Sequence, residues 1–393
     1  MIGGAQSEEP EGGGDFFELS PRKDPSQAAA MRTIGLDELL ALSTGATVLG
    51  TGGGGDPFIG RLMAEAAIRR YGPIRLVDLD ELPEEGLVIP AAMMGAPTVM
   101  VEKIPNGDEI RRAVEQLERV LEQKAVAIMV IEAGGINSMI PLAVAAQLGL
   151  PVVNADSMGR AFPELQMTSF HLFGIRSTPM VVVDEKGNSL LLDTIDNRWT
   201  ERLSRTATVQ MGGSSIIALY PLTTREAREA SIPDSLGKEL ELGRLLRDRT
   251  LPASERLRRL LQRMNGRLIF HGKVVDVVRS STDAFVRGTA TLAGLDEDEG
   301  STLRLEFQNE NLVAVRDGEP VAMVPDLIST LDQETLIPIT TETLIYGQRA
   351  LVIALPCATV WRTEKGLETA GPRYFGYDFD YRPIEAQTVE EES

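Results

Sequence analysis

An uninterrupted apolar run, Ala125 to Ile131, and a second short segment that reads as a buried strand, Pro151 to Asn154, flank a stretch of helical character from Ser138 to Leu148. A strand with no polar face must be covered on both sides, so this arrangement points to a parallel α/β sheet between helical layers. The same alternation begins earlier. Ile74 to Leu79 and Leu87 to Met94 read as strands. Phe58, Ile59, Leu62, Met63, Ala66 and Ala67 fall on one face of a helix that Gly72 and Pro73 end. Ile110, Val114, Leu117 and Leu121 form the stripe of a helix over Gly107 to Gln123. Met180 to Val183 and Ser189 to Leu192 read as a hairpin around DEKGN. The α/β domain is expected over 33–200, beginning with a short helix from Leu36 toward Gly45, and a charged helical linking segment over 201–266. From Arg267 the pattern shifts to short strands punctuated by Gly and Asp, so 267–384 is expected to be a mostly-β domain, barrel- or sandwich-like. Residues 1–32 are rich in Gly, Glu, Pro and Ser and read as a disordered extension; 385–393 read as a disordered tail.

Charge and cysteine content narrow the function classes. The 393-residue chain carries 39 basic and 58 acidic residues, a net charge of −19. A field of that sign repels nucleic acid and anionic membranes, so neither is an expected partner. No apolar run reaches the 18 residues that a membrane-spanning helix needs. The single cysteine, Cys357, excludes an internal disulfide and any multi-cysteine metal centre. The acidic, Gly-rich N-terminus is unlike a secretory signal, and the expected compartment is the cytoplasm.

Four segments carry candidate chemistry. Gly50 to Asp56 (GTGGGGD) precedes a helix with Pro57 in its first turn. The amides of Gly53, Gly54 and Gly55 and the helix N-terminus can hold an anion or a developing oxyanion. No Lys-Ser/Thr follows, so a nucleotide is not expected. The bland alternative is a tight turn. Glu132 to Ser138 (EAGGINS) leaves an apolar strand at the place where open α/β sheets bind ligands, and offers Glu132 and Asn137; alternatively it is a loop with Ser138 capping the next helix. Asn154 to Glu164 (NADSMGRAFPE) offers Asp156 as base or metal ligand and Arg160 as a grip for a carboxylate, or the two as an ion pair. Gln308 to Asn311 (QNEN) gathers Asn309, Glu310 and Asn311 after an apolar strand, a cluster that binds substrate or pins a loop. His171 and His271 sit among apolar residues. A zinc or other divalent ion, if held, would draw on Asp156, His171 and Asp56, whereas Cys357 reads as a core thiol.

GTGGGGDP, MGAPTV at 94–99, EK at 102–103, GGINS, DSMGRAFPE, GKVVDV at 272–277, QNENL, PDLI at 325–328 and GPRYFGYD at 371–378, in that order, resemble the DUF917 family of S-methyl-thiohydantoin desulfurase-like proteins. The resemblance implies an α/β domain followed by a mostly-β domain. It also implies a hydrolase that replaces a sulfur substituent on a five-membered cyclic amide by oxygen. A ring-opening hydantoinase or oxoprolinase-like amidohydrolase, and a non-catalytic subunit of a hydantoinase-type complex, are the alternatives. A homo-oligomer and a hydantoinase-type partner are both open. Asp156, Asp56 and Glu132 are the candidate catalytic acids and bases. One departure from the family pattern is Asn154, where Asp is expected.

Overall fold

The structure is a computed structural model; it describes residues 32–55, 57–95, 99, 103, 107–282 and 285–386. Asp56, most of the 94–103 motifs, the extension before Arg32 and the tail after Ala386 lie outside the described residues.

The first sheet holds β1 (Arg32–Ile34), β2 (Ile74–Val77), β3 (Leu87–Gly95), β4 (Ala125–Val130), β5 (Val152–Val153), β7 (Met180–Val183), β8 (Ser189–Leu192), β9 (Ser214–Ala218) and β10 (Leu222–Thr223). The order is β1-β2-β5-β4-β3-β9-β7-β8, with β10 pairing on β3. Strands β2, β5, β4 and β3 are parallel and form the centre; the flanking pairs are antiparallel. A two-stranded ribbon joins β6 (Ala155–Asp156) to β11 (Ile232–Pro233).

Strand β4 shows why its sequence is apolar throughout. Ile128 and Val130 face one core, shared with the helices α1 (Leu36–Leu49), α2 (Pro57–Tyr71), α3 (Asp108–Leu121) and α4 (Ile140–Leu148). Ala127, Met129 and Ile131 face a second core, which includes Leu312, Leu327, Leu355 and Trp361 from the far half of the chain. On α3, Ile110, Val114 and Leu117 are fully buried; each such side chain contributes about 1.5–3 kcal/mol.

Helix α1 runs through Gly45 instead of stopping there. The reason is its crossing with α8 (Ser235–Arg247). A Cβ on Gly45 would lie 1.8 Å from the Glu239 carbonyl oxygen, and one on Gly243 would lie 1.7 Å from that of Ala41. The glycines let the two backbones touch. The segment 201–266 holds more than helices. After α5 (Ser169–Leu172), α6 (Asn197–Gln210) leads into β9, which lies beside β3 inside the first sheet. Then come α7 (Thr224–Ala230), α8 and α9 (Ala253–Met264).

The second domain is an eight-stranded antiparallel sheet in the order β16-β15-β14-β13-β12-β19-β17-β18. Its strands are β12 (Arg267–Thr282), β13 (Phe285–Gly294), β14 (Thr302–Gln308), β15 (Glu310–Arg316), β16 (Glu319–Met323), β17 (Leu327–Asp332), β18 (Pro338–Ile339) and β19 (Arg349–Leu355). Bulges near Phe270 and Val275 bend the long β12. Strand β15 also packs against β17, so the sheet curls toward closure around Phe270, Leu292, Leu305 and Val352.

Candidate active site

The carboxyl ends of β3 and β4 open onto a narrow cleft with about 60 Å³ of free interior, space for a few water molecules. Its walls include Gly54 and Gly55, Met93 to Gly95, Glu132, Asn137, Phe162 to Leu165, Arg205, and Asn309 and Glu310. All four sequence segments therefore reach it, and the second domain supplies one wall through Asn309 and Glu310.

The two glycine loops are packed backbone to backbone. A Cβ on Gly54, where φ is +73°, would sit 2.5 Å from the Cα of Gly134. The Gly54 carbonyl accepts from the Ile136 amide at 2.7 Å. The Gly53 amide is spent inside the turn on the Gly50 carbonyl, also at 2.7 Å. Gly54 and Gly55 line the cleft, and their amides take no hydrogen-bond partner among the described residues. The second domain holds the other side of this loop. Asn311 N donates to the Thr51 carbonyl (2.8 Å), Thr341 N to that of Gly52 (2.8 Å) and Ser329 Oγ to that of Val48 (2.6 Å).

Glu132 stands two residues beyond β4 and is 7 % exposed. One carboxyl oxygen accepts from Asn137 Nδ2 and the other from the Phe162 amide at 3.4 Å. Burial pushes its pKa up to about 7; Asp156 adds to the rise, while the Asn137 and Phe162 bonds and the Arg205 charge oppose it. Asn137 is itself fixed, its Oδ1 accepting from Met93 N at 2.8 Å. It acts as a brace between β3 and Glu132. Ser138 caps nothing: its hydroxyl accepts from Gly134 N and donates to Glu239.

Asp156 is placed differently. It is fully buried and absent from the cleft wall. Oδ2 accepts from the amides of Ala133 (3.2 Å), Met158 (3.1 Å) and Gly159 (2.7 Å), and Oδ1 from Ser235 Oγ (2.5 Å). These bonds tie the 132–134 loop to the 156–159 turn. Arg160 is fully buried too. Its Nε donates to the Ala161 carbonyl, Nη1 to those of Pro325 and Asp326, and Nη2 to Thr51 Oγ1 and the Asn311 carbonyl. All five N–H groups are engaged, so none remains for a substrate carboxylate. Arg160 is a rivet between the domains, with its guanidinium 4.5 Å above the Phe162 ring.

In the QNEN segment, Asn309 takes a left-handed backbone (φ +57°) and exchanges two hydrogen bonds with Val286, through its amide (2.7 Å) and its Oδ1 (2.8 Å). Asn311 Nδ2 donates to the Ile328 carbonyl at 2.9 Å. These two residues pin the loop. Glu310, between them, faces the cleft and is 2 % exposed.

Of the suggested metal ligands, Asp56 lies outside the described residues, and His171 and Asp156 share no partner. His171 lies on α5, where Nδ1 meets Asn197 Nδ2 at 3.1 Å, apart from the bonds that enclose Asp156. Among the described residues no three His, Cys, Asp or Glu side chains gather as a metal-holding group. Cys357 is buried and its thiol is pushed up to about 12, first by burial and then by Asp326, which makes it a poor nucleophile. Asn154 lies outside the cleft. It donates to Asp78 (3.2 Å) and Asp234 (3.0 Å) and accepts from Gly237 N. An Asp there would set three carboxylates together, so the amide suits this chain's own neighbours.

Arg205, Phe162 and Met94 were not singled out from sequence. Arg205 pairs with Glu201 one turn earlier on α6, donates to the Pro163 carbonyl (3.0 Å) and lies 4.1 Å from the Phe285 ring centre. With Glu164 it also borders a wider outer cavity of about 580 Å³ that includes Arg198, Arg202 and Tyr374. Nothing in α6 distinguishes Arg205 from the arginines around it; only the fold of 201–266 does.

Comparison with known proteins agrees with this architecture. The N-terminal domain of the S-Me-THD-like family matches residues 37–194, and its C-terminal domain matches residues 195–384. The crystal structure of a protein from Chromobacterium violaceum is similar at 26 % identity with a TM-score of 0.76, covering 90 % of this chain and 100 % of that one. No curated protein matches the chain.

Proposed function

The chain belongs to the S-Me-THD-like family, and from that premise we propose that it is a hydrolase that replaces the sulfur substituent at C2 of a five-membered cyclic amide by oxygen. The observation that carries the reading is Glu132: a carboxyl held near neutrality by burial, in a strand-end cleft that Gly54 and Gly55 also line. A general base works best with a pKa near the working pH. Glu132, in its ionised form, takes a proton from water as the oxygen adds to ring C2. Charge then develops on the ring, and the Gly54 and Gly55 amides, without partners among the described residues, receive it. Phe162 and Met94 give the planar ring apolar walls.

This assigns the base to Glu132 and gives Asp156 the task of holding the loop that carries it. The carboxyl groups do not suit a resident divalent ion, since both Asp156 oxygens are taken by donors and Glu132 is held by Asn137.

The test is thiol release from an S-methylthiohydantoin. The wild-type protein is expected to liberate methanethiol and hydantoin, with the rate unchanged by a chelator. Glu132→Gln is expected to cost roughly 10²–10⁴-fold in kcat while the folded state persists. Ring opening without thiol release would move the reaction to the amidohydrolases. Turnover of neither substrate would leave a binding subunit as the better description.

A further inference from the structure

We propose that Glu310, which the second domain places in the cleft, donates the proton that the departing sulfur needs. This rests on the desulfurase reading above and adds the second half of its proton transfer.

The geometry of Glu310 is unlike that of any other acid at the site. Its side chain is buried, lines the cleft, and its Oε2 has no hydrogen-bond partner. A buried polar atom left without a partner is costly, by about 1–3 kcal/mol, and is therefore rare unless a ligand completes it. The surrounding structure fixes this exposure to the cleft. The left-handed turn at Asn309, clamped on Val286, sets the start of β15. Gly53 lies directly beneath the carboxyl, where a Cβ would come within 2.1 Å of Oε1. Arg160 is near enough to influence Glu310, yet its five donors are bound elsewhere, so it leaves the acid unpaired.

The environment also separates the two acids. Burial raises the proton affinity of Glu310 well above the ordinary carboxylate range, and the nearby Glu132 raises it further. The Asn137 Nδ2 and Phe162 N–H bonds favour the ionised form of Glu132, whereas Glu310 Oε2 has no such donor. The unlike surroundings divide the roles, the hydrogen-bonded carboxyl as base and the unpartnered one as acid.

The atoms balance as follows. A C2–O bond forms as Glu132 takes one proton of the water, and the electron pair of the C=N bond moves onto nitrogen. That pair then returns to re-form C=N, the C2–S bond breaks, and sulfur leaves with the bonding electrons and the proton of Glu310. The products are a thiol and the 2-hydroxy tautomer of the hydantoin. Transfer of the proton from Glu132 to Glu310 restores both groups.

Leaving-group dependence tests the assignment. An alkyl thiolate needs protonation to depart, whereas a 4-nitrothiophenolate does not. Thiol release is measured for the S-methyl and S-(4-nitrophenyl) compounds with wild type, Glu310→Gln and Glu310→Asp. Glu310→Gln is expected to slow methanethiol release roughly 10²–10⁴-fold and nitrothiophenol release less than about tenfold, and to remove the alkaline limb of the S-methyl pH profile. Glu310→Asp keeps an acid and is expected to recover part of the S-methyl rate. Gln exchanges one neutral group for another, so the melting temperature is expected to hold. Should that variant fail to fold, the ratio of the two rates in Glu310→Asp decides in the same way. Equal loss with both substrates, or no loss with S-methyl, overturns the proton-donor role while leaving the desulfurase reading intact. A wild-type protein that acts on neither compound overturns both.

Discussion

Strands β4 and β6 each lead to a buried acid, and the surroundings of the two diverge. Asp156 accepts from three amides and a hydroxyl; two of these bonds shape its own turn and two tie that turn to Ala133 and Ser235. Glu132 is equally shielded but receives only one side-chain amide and one long backbone contact. Asp156 is held in place by the peptide groups that need it, and removing it would orphan them. Glu132 is under-bonded, and a buried under-bonded carboxyl gains a proton easily and gives it up near neutral pH. The contrast separates a structural acid from a reactive one without reference to which residue looks more catalytic in the sequence.

The strongest way to break this contrast is at Asp156. Asn is nearly isosteric, and its carbonyl oxygen can take the place of Oδ2 before the three amides. Asp156→Asn is therefore expected to fold and to retain activity within about tenfold. Asp156→Ala leaves the Ala133, Met158 and Gly159 amides buried without that acceptor. At about 1–3 kcal/mol for each orphaned group, with partial relaxation, a loss of roughly 3–5 kcal/mol is expected in denaturant unfolding. If Asp156→Asn folded normally but lost activity as fully as Glu132→Gln, the roles would have to be exchanged.

How the two acids looked in sequence explains why they had to be told apart by structure. The donors to Asp156 are mostly backbone amides, which leave no mark on residue type. The acceptors of Arg160 are mostly backbone carbonyls and come from as far as Asp326, so a buried rivet read as a substrate grip. By contrast the layered domain was legible, because Ala125 to Ile131 must be covered on both faces whatever the rest does. The wall formed by QNEN was legible as polar side chains after an apolar strand, although only Glu310 of its members faces the cleft with an unpartnered atom. Strand β9 was missed: SSIIA is five residues long and stands between charged helices, so its periodicity carries little signal. Arg205, just before it on α6, was lost for the same reason.

A second test concerns the loop facing Glu132. If its position depends on backbone contact as firmly as the Asp156 turn depends on hydrogen bonds, Gly54→Ala must displace Gly134. Positive φ and a 2.5 Å approach act together there. A loss of roughly 2–4 kcal/mol is expected, from strain and overpacking, with activity falling as the Gly54 and Gly55 amides shift. Gly72→Ala is the control, since it shares a positive φ (+100°) but meets nothing within 4 Å; its cost should stay near ~1 kcal/mol. Equal unfolding free energies for the two variants would mean that the glycine loops are not in contact.

The smallest effect, and the sharpest probe of why the two acids differ, is expected at Asn137. Its Nδ2 donates to Glu132 and favours the ionised form. As a base, Glu132 works when deprotonated, so the acid limb of kcat/KM should rise with pH to a midpoint near 7, before the alkaline limb set by Glu310. Removing the donor in Asn137→Ala withdraws stabilisation from the anion alone, so the midpoint must move to higher pH. A hydrogen bond worth about 0.5–1.5 kcal/mol corresponds to a shift of roughly 0.4–1.1 pH units. Stability carries the same sign. The pKa of Glu132 is raised on folding, so its contribution is fully present below the ordinary carboxylate range and is lost as pH climbs toward 7. Asn137→Ala should extend that decline to higher pH, and Glu132→Gln should remove it. A profile that stays in place in Asn137→Ala, or moves to lower pH, would show that the group titrating in the rate is not Glu132.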